Sequence, residues 1–201
     1  MAWDTHRTRR LLLEAATEEF SARGLAGGRV DRIAEQAGIN KQRIYRYFGS
    51  KTELFDEVVA QEMVRVMALI PIDGSGREAV LSYARRMIAH HQRDRVLARL
   101  LFWESLEERP PTTSAERVDL SGDKVAALAA AAPGLSRTQA AELVFLIVTL
   151  ACGSPILHNV DRQLVGAEPD LAPRTELMIA AVGAALDTAL ATGGAATPDD
   201  E

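Results

Sequence analysis

Two short amphipathic segments separated by a glycine-centred turn constrain the fold of this chain more than any other feature of its sequence. Apolar residues recur at helical spacing over residues 30–37 and again, at i and i+4, at Ile44 and Phe48. Between the segments, Gly38 can adopt a positive φ, and Asn40 is a favourable N-cap for the helix that follows. Two short helices joined by so short a turn are typical of a helix-turn-helix, whose second helix lies in the major groove of DNA.

The second of these predicted helices, residues 41–48, carries polar side chains suited to a nucleic acid. If Ile44 and Phe48 face inward, the outward stripe and its flank contain Asn40, Gln42, Arg43, Arg46 and Tyr47. Guanidinium, amide and phenol groups donate hydrogen bonds to base edges and to phosphates. This helix is therefore predicted to be the element that reads DNA.

Helical periodicity extends over the rest of the chain, and no segment alternates apolar and polar residues as a half-buried strand does. A first helix is predicted from about Thr8 to just before Gly24. A capping box of Ser50 and Glu53 begins a fourth helix that ends near Ile70. Further helices are predicted at about 77–92, 94–107, 115–132, 136–152 and 174–191. The predicted fold class is all-α.

The net charge of −5 conceals a basic N-terminal quarter. Residues 1–51 contain ten Lys and Arg against six Asp and Glu, a net charge of +4, whereas residues 52–201 contain 13 against 22, a net charge of −9. This asymmetry is expected if the first part of the chain meets a polyanion. A fluctuation in solvated surface charge explains the asymmetry equally well.

The sequence also argues against several classes of site. The lone Cys152 excludes an internal disulfide framework and a cysteine-based zinc site, and it is interpreted as a small apolar residue rather than a redox switch. His90 and His91 are adjacent and point to different faces of a helix, so no metal site is predicted. GxSxG, HExxH and Walker motifs are absent from the sequence. We therefore predict neither an enzyme nor a cofactor.

Signals for export or membrane insertion are also absent from the sequence. The first ten residues lack the apolar core of a signal peptide. The longest uncharged run, residues 143–157, is shorter than the roughly 20 residues that a bilayer demands. We therefore expect a cytoplasmic protein with no membrane partner.

A longer stretch, residues 8–54, carries a specific resemblance. It reads TRRLLLEAATEEFSARGLAGGRVDRIAEQAGINKQRIYRYFGSKTEL and resembles the DNA-binding domain of the tetracycline-repressor-like (TetR) transcriptional regulators. The matching features are the SARG end of the first helix, the IAEQAG helix and the YxYFxSKxEL close. What the family adds is an expectation about the rest of the chain.

The resemblance implies an all-helical homodimer with an N-terminal three-helix helix-turn-helix domain, placed at residues 1–51. A C-terminal helical ligand-binding and dimerisation domain follows at residues 52–192, and a helix over residues 51–70 links the two. We expect residues 193–201 to form a flexible tail. The implied function is that of a ligand-responsive, sequence-specific DNA-binding regulator, in most members a repressor. A small apolar or amphipathic effector would release it from a palindromic operator of double-stranded DNA.

Carried onto the matching positions of this chain, the resemblance and the helix chemistry give one set of DNA-binding residues: Arg29, Lys41, Gln42, Arg43, Tyr45, Arg46, Tyr47 and Lys51. Gln42, Arg43 and Arg46 replace residues that are common in the family and make this surface more basic. The usual side-chain cap of the second helix is replaced by Gly28 followed by Arg29. These departures keep the fold but prevent any known operator from being carried over.

Several residues in this region also have structural interpretations. Tyr45 and Tyr47 are compatible with ordinary core or surface positions. Lys51 is unfavourably placed for the dipole of the helix that it begins, and a nearby phosphate would explain its position. The sequence leaves open whether Arg7, Arg9 and Arg10 form a minor-groove arm or a disordered basic lead.

The C-terminal half offers candidates for a ligand cavity and for a dimer interface. The large side chains that suit a mostly apolar cavity are Met63, Met67, Tyr83, Met87, Phe102, Trp103 and Phe145. In the family, two helices from each subunit form a four-helix interface. The small, nearly uncharged faces that match those helices contain Ala140, Val144, Ile147, Val148, Leu177, Ala181 and Ala184. An ordinary intrachain core is the alternative for both sets.

Two other functions are compatible with the same sequence. One is a transcriptional activator, and the other is a helical protein-interaction module without a small-molecule effector. The retained Lys41, Arg43 and Arg46 disfavour a module that has lost DNA binding.

Overall fold

The computed structural model describes residues 2–107, 115–166 and 170–193. Within these ranges every regular element is a helix, which confirms the predicted all-α fold class. The helices are α1 (Ala2–Gly27), α2 (Val30–Ala37), α3 (Lys41–Phe48), α4 (Lys51–Leu69), α5 (Arg77–Arg93), α6 (Val96–Ser105), α7 (Ala115–Ala131), α8 (Arg137–Ile156), α9 (His158–Leu164) and α10 (Leu171–Gly193).

The chain divides into two compact units that are not contiguous in sequence. The first contains residues 1–66 and 96–117, that is, α1 to α3, most of α4, α6 and the start of α7. The second contains residues 67–95 and 118–201, that is, the end of α4, α5, the rest of α7 and α8 to α10. The helices α4 and α7 each run from one unit into the other.

The core of the first unit forms where the sequence predicts an apolar stripe on α1. Leu12, Ala16 and Phe20 are fully buried, and α2 and α3 contribute Ile33 and Ile44 to the same core. The Phe20 ring also meets the Phe55 ring of α4 edge to face, with 5.3 Å between the ring centroids. The packing of α1 against α2 and of α2 against α3 therefore rests on this core.

The first helix begins earlier than predicted, at Ala2, and its regular part ends as predicted at Gly24, whose non-helical backbone forms a kink before a last short stretch to Gly27. Gly24 has a φ of 67°, a conformation that favours glycine. A Cβ atom at this position would lie 2.7 Å from Cδ2 of Trp103 on α6. The kink thus makes room for an indole ring that comes from a distant part of the chain.

In the second unit, α5 packs against α8 and α10. Two predicted helix ends in this region are wrong. We predicted that α8 ends at residue 152, but it continues to Ile156 with Pro155 inside its last turn, where the missing N–H removes one hydrogen bond only. The helix α10 begins at Leu171, and Pro173 lies in its first turn, where helical N–H groups have no intrahelical acceptor.

Residues 158–164 form α9, which the sequence did not predict because the segment is short and lacks a clear apolar stripe. The predicted stops at Pro110–Pro111 and Pro169 lie outside the described residues, as does the predicted tail beyond Gly193. The loop between α4 and α5 spans residues 70–76, close to the predicted break at residues 71–76.

Two helices, α8 and α10, are long and apolar enough by length and composition to cross a membrane, with mean hydropathies of 1.6 and 1.3 in their most apolar windows. Neither helix was predicted as a candidate span, because charged residues such as Glu142 and Asp187 interrupt their uncharged runs. A core helix of a globular protein passes the same test, and both helices pack against α5 and against each other. Only 33% and 22% of these windows is buried, so much of their apolar surface faces outward.

Candidate DNA-binding site

The turn between α2 and α3 is fixed by the two residues that the sequence singled out. Gly38 ends α2 in the left-handed conformation, with φ 65° and ψ 30°. The Asn40 side chain caps α3 by accepting a hydrogen bond from the Gln42 N–H at 2.8 Å. Both predictions are confirmed, and together these residues set the direction in which α3 leaves α2.

The inward face of α3 is as predicted, and so is the outward face except for Tyr47. Ile44 and Phe48 are buried in the core of the first unit, whereas the exposed face presents Lys41, Gln42, Arg43, Tyr45 and Arg46. Tyr47 is half-buried and packs against the core, with its ring centroid 6.3 Å from that of Phe48. The structure therefore brings five of the predicted DNA-binding residues together on one solvent-facing surface.

Both lysines that are predicted to bind DNA also have partners within the chain. Lys41 Nζ lies 2.8 Å from Asp31 Oδ1 of α2, and this contact lowers the pKa of Asp31 and raises that of Lys41. Lys51 Nζ lies 3.4 Å from the carbonyl oxygen of Ala26, in the last turn of α1. A cation is favoured near the C-terminal end of a helix, which gives Lys51 an intrachain reason for its position.

The start of α2 is capped from α1 by a residue that the sequence analysis missed. Arg29 is the N-cap and its own side chain makes no capping hydrogen bond. Instead the buried Glu19, 5% exposed, accepts a hydrogen bond from the Arg29 N–H at 2.8 Å and another from Arg32 Nε at 2.8 Å. This carboxylate replaces the side-chain cap that is common in the family at this place.

The contacts of Glu19 outweigh the effect of its burial. Burial by itself raises the pKa of a carboxyl group, but the hydrogen bonds from Arg32 and from the Arg29 N–H bring the pKa of Glu19 below its ordinary value of 4.5. The available signal in the sequence was a glutamate at i+7 from Leu12, on the otherwise apolar stripe of α1. An acidic residue at a core position predicts a cationic partner, which the half-buried Arg32 provides.

The approach of α1 to the α1–α2 loop requires a glycine. A Cβ atom at Gly28 would lie 2.6 Å from Cδ1 of Phe20. Because Phe20 is fully buried in the core, its ring has little freedom to move away. Gly28 therefore lets α2 begin close to α1, where Glu19 can reach the Arg29 N–H.

Comparison with known proteins agrees with this arrangement. Residues 12–58 match the family model described as bacterial regulatory proteins, tetR family, and residues 80–183 match that of the tetracyclin repressor-like C-terminal domain. The HTH-type transcriptional repressor SCO4008 of Streptomyces coelicolor is 37% identical over 175 residues, which cover 82% of this chain and 87% of the relative. The chain belongs to the tetR family.

Solved structures of family members have the same fold. The putative transcriptional regulator SCO4942 from Streptomyces coelicolor has a TM-score of 0.66 and 29% identity, covering 87% of this chain and 96% of its own. The regulator FadR from Bacillus subtilis, in complex with stearoyl-CoA, has a TM-score of 0.62 and 16% identity, covering 90% and 97%. Family members are DNA-binding regulators of transcription that bind small-molecule effectors as dimers.

In this tetR-family regulator, the three N-terminal arginines lie on α1. The Arg9 guanidinium donates to Glu57 Oε1 at 2.6 Å and lies 5.4 Å from the Phe48 ring centroid. Arg10 Nε lies 3.8 Å from Glu14 Oε1, and Arg7 is exposed. These residues are helical in the structure, so the disordered lead that the sequence left open is wrong, and contact with the minor groove stays a prediction.

The predicted ligand-binding residues of the regulator are divided between the two units. Met63, Phe102 and Trp103 belong to the first unit, and Met67, Tyr83, Met87 and Phe145 to the second. Met63 and Trp103 pack against the core of the first unit, and the Trp103 indole N–H donates to the Ser21 carbonyl at 3.3 Å. In the second unit, Tyr83 and Met87 are buried on one face of α5, whereas Phe145 is 68% exposed on α8.

The predicted dimerisation residues divide into three groups by exposure. Ala140 and Ile147 are 0% exposed because they pack inside the chain, so their assignment to an interface between copies is wrong. Val144 and Val148 are half-buried. Leu177 is 72% exposed, and Ala181 and Ala184 of the same helix are exposed beside it.

Proposed function

We propose that this regulator is a repressor that binds a palindromic operator as a homodimer and that a small apolar or amphipathic effector releases it. The observation that carries the proposal is the exposed face of α3, which presents Gln42, Arg43 and Arg46 to solvent. Gly38 and Asn40 fix the direction of this helix. Repression is supported by the 37% identical relative, which is named a repressor. The role is regulatory rather than catalytic, and we expect the protein in the cytoplasm.

The proposed DNA contacts fall into base contacts, which give sequence specificity, and phosphate contacts, which position the helix. The guanidinium groups of Arg43 and Arg46 can donate two hydrogen bonds to a guanine edge, and Gln42 can pair in a similar way with adenine. Arg29, Lys41, Tyr45, Tyr47 and Lys51 are proposed to contact phosphates and so to fix the register of α3. Lys41 and Lys51 already make contacts within the chain, which hold their ammonium groups at the surface.

The proposed dimer forms through the outward apolar faces of α10 and α8. Less than a third of the most apolar window of α10 is buried in the single chain, and Leu177 is the most exposed large residue on it. Ala181 and Ala184 lie one and two turns further along the same face. The exposure of Phe145 on α8 favours a place in this interface over the ligand site that the sequence suggested.

The effector is proposed to bind in the C-terminal part of the chain. Tyr83 and Met87 provide buried aromatic and thioether surface on α5, and Met67 is half-buried at the end of α4. The structural neighbour FadR was solved with stearoyl-CoA, which shows that a protein of this fold accommodates an amphipathic molecule. The effector can release this regulator from DNA only if it binds the DNA-free conformation more tightly than the operator-bound conformation.

A mobility-shift assay with the DNA upstream of the protein's own gene tests the proposal. We expect a specific shift that competitor DNA of scrambled sequence does not remove, and its loss in the double variant Arg43→Ala, Arg46→Ala. Arg85→Ala in the second unit, which removes an exposed arginine of α5, is the matched control. A reporter fused to the same DNA separates repression from activation by the sign of the change when the regulator is deleted. Absence of any sequence-specific binding would favour the protein-interaction module.

A further inference from the structure

Two cations lie close together in the second unit, Lys124 on α7 and Arg86 on α5. Lys124 Nζ lies 5.4 Å from the centroid of the Tyr83 ring, and Arg86 Nη1 donates to Asp73 Oδ2 at 3.1 Å. The charged groups that act on Lys124 are Arg86, which repels it, and Asp73, which attracts it. The Asp73 side chain is 67% exposed, so solvent screens its attraction for the two cations. Lys124 and Arg86 together therefore keep an excess of positive charge.

Lys124 caps the end of α4. Its ammonium group donates to the carbonyl oxygens of Met67 at 3.3 Å and of Ile70 at 3.1 Å. The carbonyl of Met67 would accept an intrahelical hydrogen bond from the residue four positions on, but that residue is Pro71, which has no N–H. A cation there satisfies the free carbonyls and is favoured by the helix dipole. Burial and the nearby Arg86 lower the pKa of Lys124, so its positive charge is held at a cost.

The face of α5 beneath Lys124 carries polar atoms that lack hydrogen-bond partners. Tyr83, Arg86, Met87 and His90 follow one another at i, i+3, i+4 and i+7, so they share one face of the helix. Among the described residues, Arg86 Nε and His90 Nε2 are buried without a hydrogen-bond partner. A buried donor without an acceptor destabilises a protein, and most when the donor is charged.

We propose that this face of α5, together with Lys124, binds the anionic group of the regulator's effector, a carboxylate in the simplest case. The inference rests on the proposed function, because it gives a chemical class to the effector. A carboxylate offers acceptors to the Lys124 ammonium and to Arg86 Nε and neutralises the excess positive charge. The apolar part of the same molecule then contacts Tyr83 and Met87.

The same contact gives the effector a means of acting on α4. A carboxylate that draws Lys124 towards itself weakens the hydrogen bonds from Lys124 to the Met67 and Ile70 carbonyls. The last turn of α4 then loses its cap. This helix begins at Lys51, three residues after the end of the recognition helix α3. The effector therefore changes the stability of an element that is continuous with the DNA-binding unit.

Isothermal titration calorimetry on the full chain tests the charge preference with three probes that share one alkyl body: decanoate, decanol and decylamine. We expect decanoate to bind at least about tenfold more tightly than decanol, the ratio that one charge-assisted hydrogen bond supports, and decylamine to bind more weakly than either. Acetate, which has the anion without the alkyl body, should bind more weakly than decanoate. Equal affinity for decanoate and decanol, or a preference for decylamine, overturns the proposal.

Lys124→Met keeps the length of the side chain and removes its charge. We expect this variant to bind decanoate no more tightly than decanol, while Arg85→Met, which removes an exposed charge one position from Arg86, keeps the preference of the wild type. Hydrogen exchange gives a second readout. Decanoate should accelerate exchange in the last turn of α4 in the wild type, and Lys124→Met should show the fast exchange without any ligand.

Operator binding is measured in parallel to separate the two proposals. If the wild type binds no specific DNA, the proposed function fails whatever the probes do. If it binds its operator but Lys124→Met retains the wild-type preference for decanoate, the anion site alone is wrong.

Discussion

At the scale of single residues, we propose that the exposed face of α3 combines groups that read bases with groups that contact phosphates. Ile44 and Phe48 are buried and anchor α3 to the core, so its exposed side chains face solvent at fixed positions along the helix. Arg43 and Arg46 are about one helical turn apart. Because a dimer presents two copies of α3, the operator is expected to contain two half-sites about one turn of DNA, or a multiple of it, apart.

The first prediction concerns Arg43. Replacing it with alanine should weaken operator binding by about 1–3 kcal/mol for each lost base contact, and should relax the sequence preference at one position in each half-site. Binding to scrambled DNA should change little, since a base contact contributes nothing there. Fluorescence anisotropy on both DNAs measures the difference, with Arg85→Ala as the control. Equal losses on both DNAs would make Arg43 a phosphate contact and would leave base reading to Gln42 and Arg46.

The second prediction concerns Lys51. Its replacement by alanine should weaken binding to operator and to scrambled DNA alike, because a phosphate contact carries no sequence information. The slope of log affinity against log salt concentration should become shallower by roughly one unit for each lost phosphate contact, and so by about two for a dimer. Salt titrations of the wild type and the variant give both slopes. An unchanged slope would mean that Lys51 serves the Ala26 carbonyl alone.

At the scale of elements, the helix-turn-helix depends on a cap that crosses from one helix to the next. The Glu19 carboxylate on α1 accepts the Arg29 N–H at the start of α2 and also the Arg32 side chain within it. The cap joins the orientation of α2 to that of α1. Since the turn at Gly38 joins α2 to α3, the position of α3 depends on Glu19 as well as on the core.

The third prediction follows from the low pKa of Glu19. Glu19→Gln should lower the free energy of unfolding at pH 7 by about 1–2 kcal/mol, as expected for a lost cap with charged hydrogen bonds. The folded-state pKa lies below the ordinary value of 4.5, so the ionised carboxylate favours folding. Its contribution is complete above pH 4.5 and is lost as the pH falls through the folded-state pKa.

Urea unfolding at pH 7 and at a series of acidic pH values tests this prediction. The difference between the wild type and Glu19→Gln should shrink as the pH falls below 4.5. Glu14→Gln, an exposed position on the same helix that lies 3.8 Å from Arg10, is the control and should change stability little. A stability difference that stays constant into acid would show that the charge of Glu19 is not the cause.

What the sequence could predict at this scale depends on how far apart the partners lie. Gly38 and Asn40 act on residues within a few positions, and both were predicted. The cap by Glu19 joins residues ten positions apart, and the packing of Trp103 on Gly24 joins residues 79 positions apart. Such contacts exist only once the helices have packed, so neither periodicity nor capping rules could predict them. The same reason explains why Ala140 and Ile147 were assigned to a dimer interface.

At the scale of the whole molecule, α8 and α10 present more apolar surface than the single chain covers. Leu177 and Phe145 are 72% and 68% exposed, and both are large side chains. Exposed large apolar side chains on two neighbouring helices favour an interface with another chain. A second copy of the same chain would cover this surface and would also supply the second α3 that a palindromic operator requires.

The fourth prediction tests this interface. Ala181→Asp, or Ala184→Asp, should dissociate the dimer, because an unpaired charge buried between copies destabilises it by several kcal/mol. Sedimentation velocity at micromolar concentration gives the oligomeric state. Ala126→Asp, at an exposed position of α7, is the matched control and should remain dimeric. If both α10 variants remain dimers of unchanged stability, the copies associate through another surface.

The placement of α6 in the first unit has a consequence for any attempt to isolate the DNA-binding part. Leu100 of α6 is fully buried in the core of that unit, and Arg99 Nη2 donates to the Ala22 carbonyl of α1 at 3.0 Å. A fragment that ends after residue 51, or even after α4, would expose to solvent the apolar surface of α1 that α6 covers. The shortest piece expected to fold without its partner unit must carry residues 96–105 as well, joined to α4 by a designed linker in place of α5.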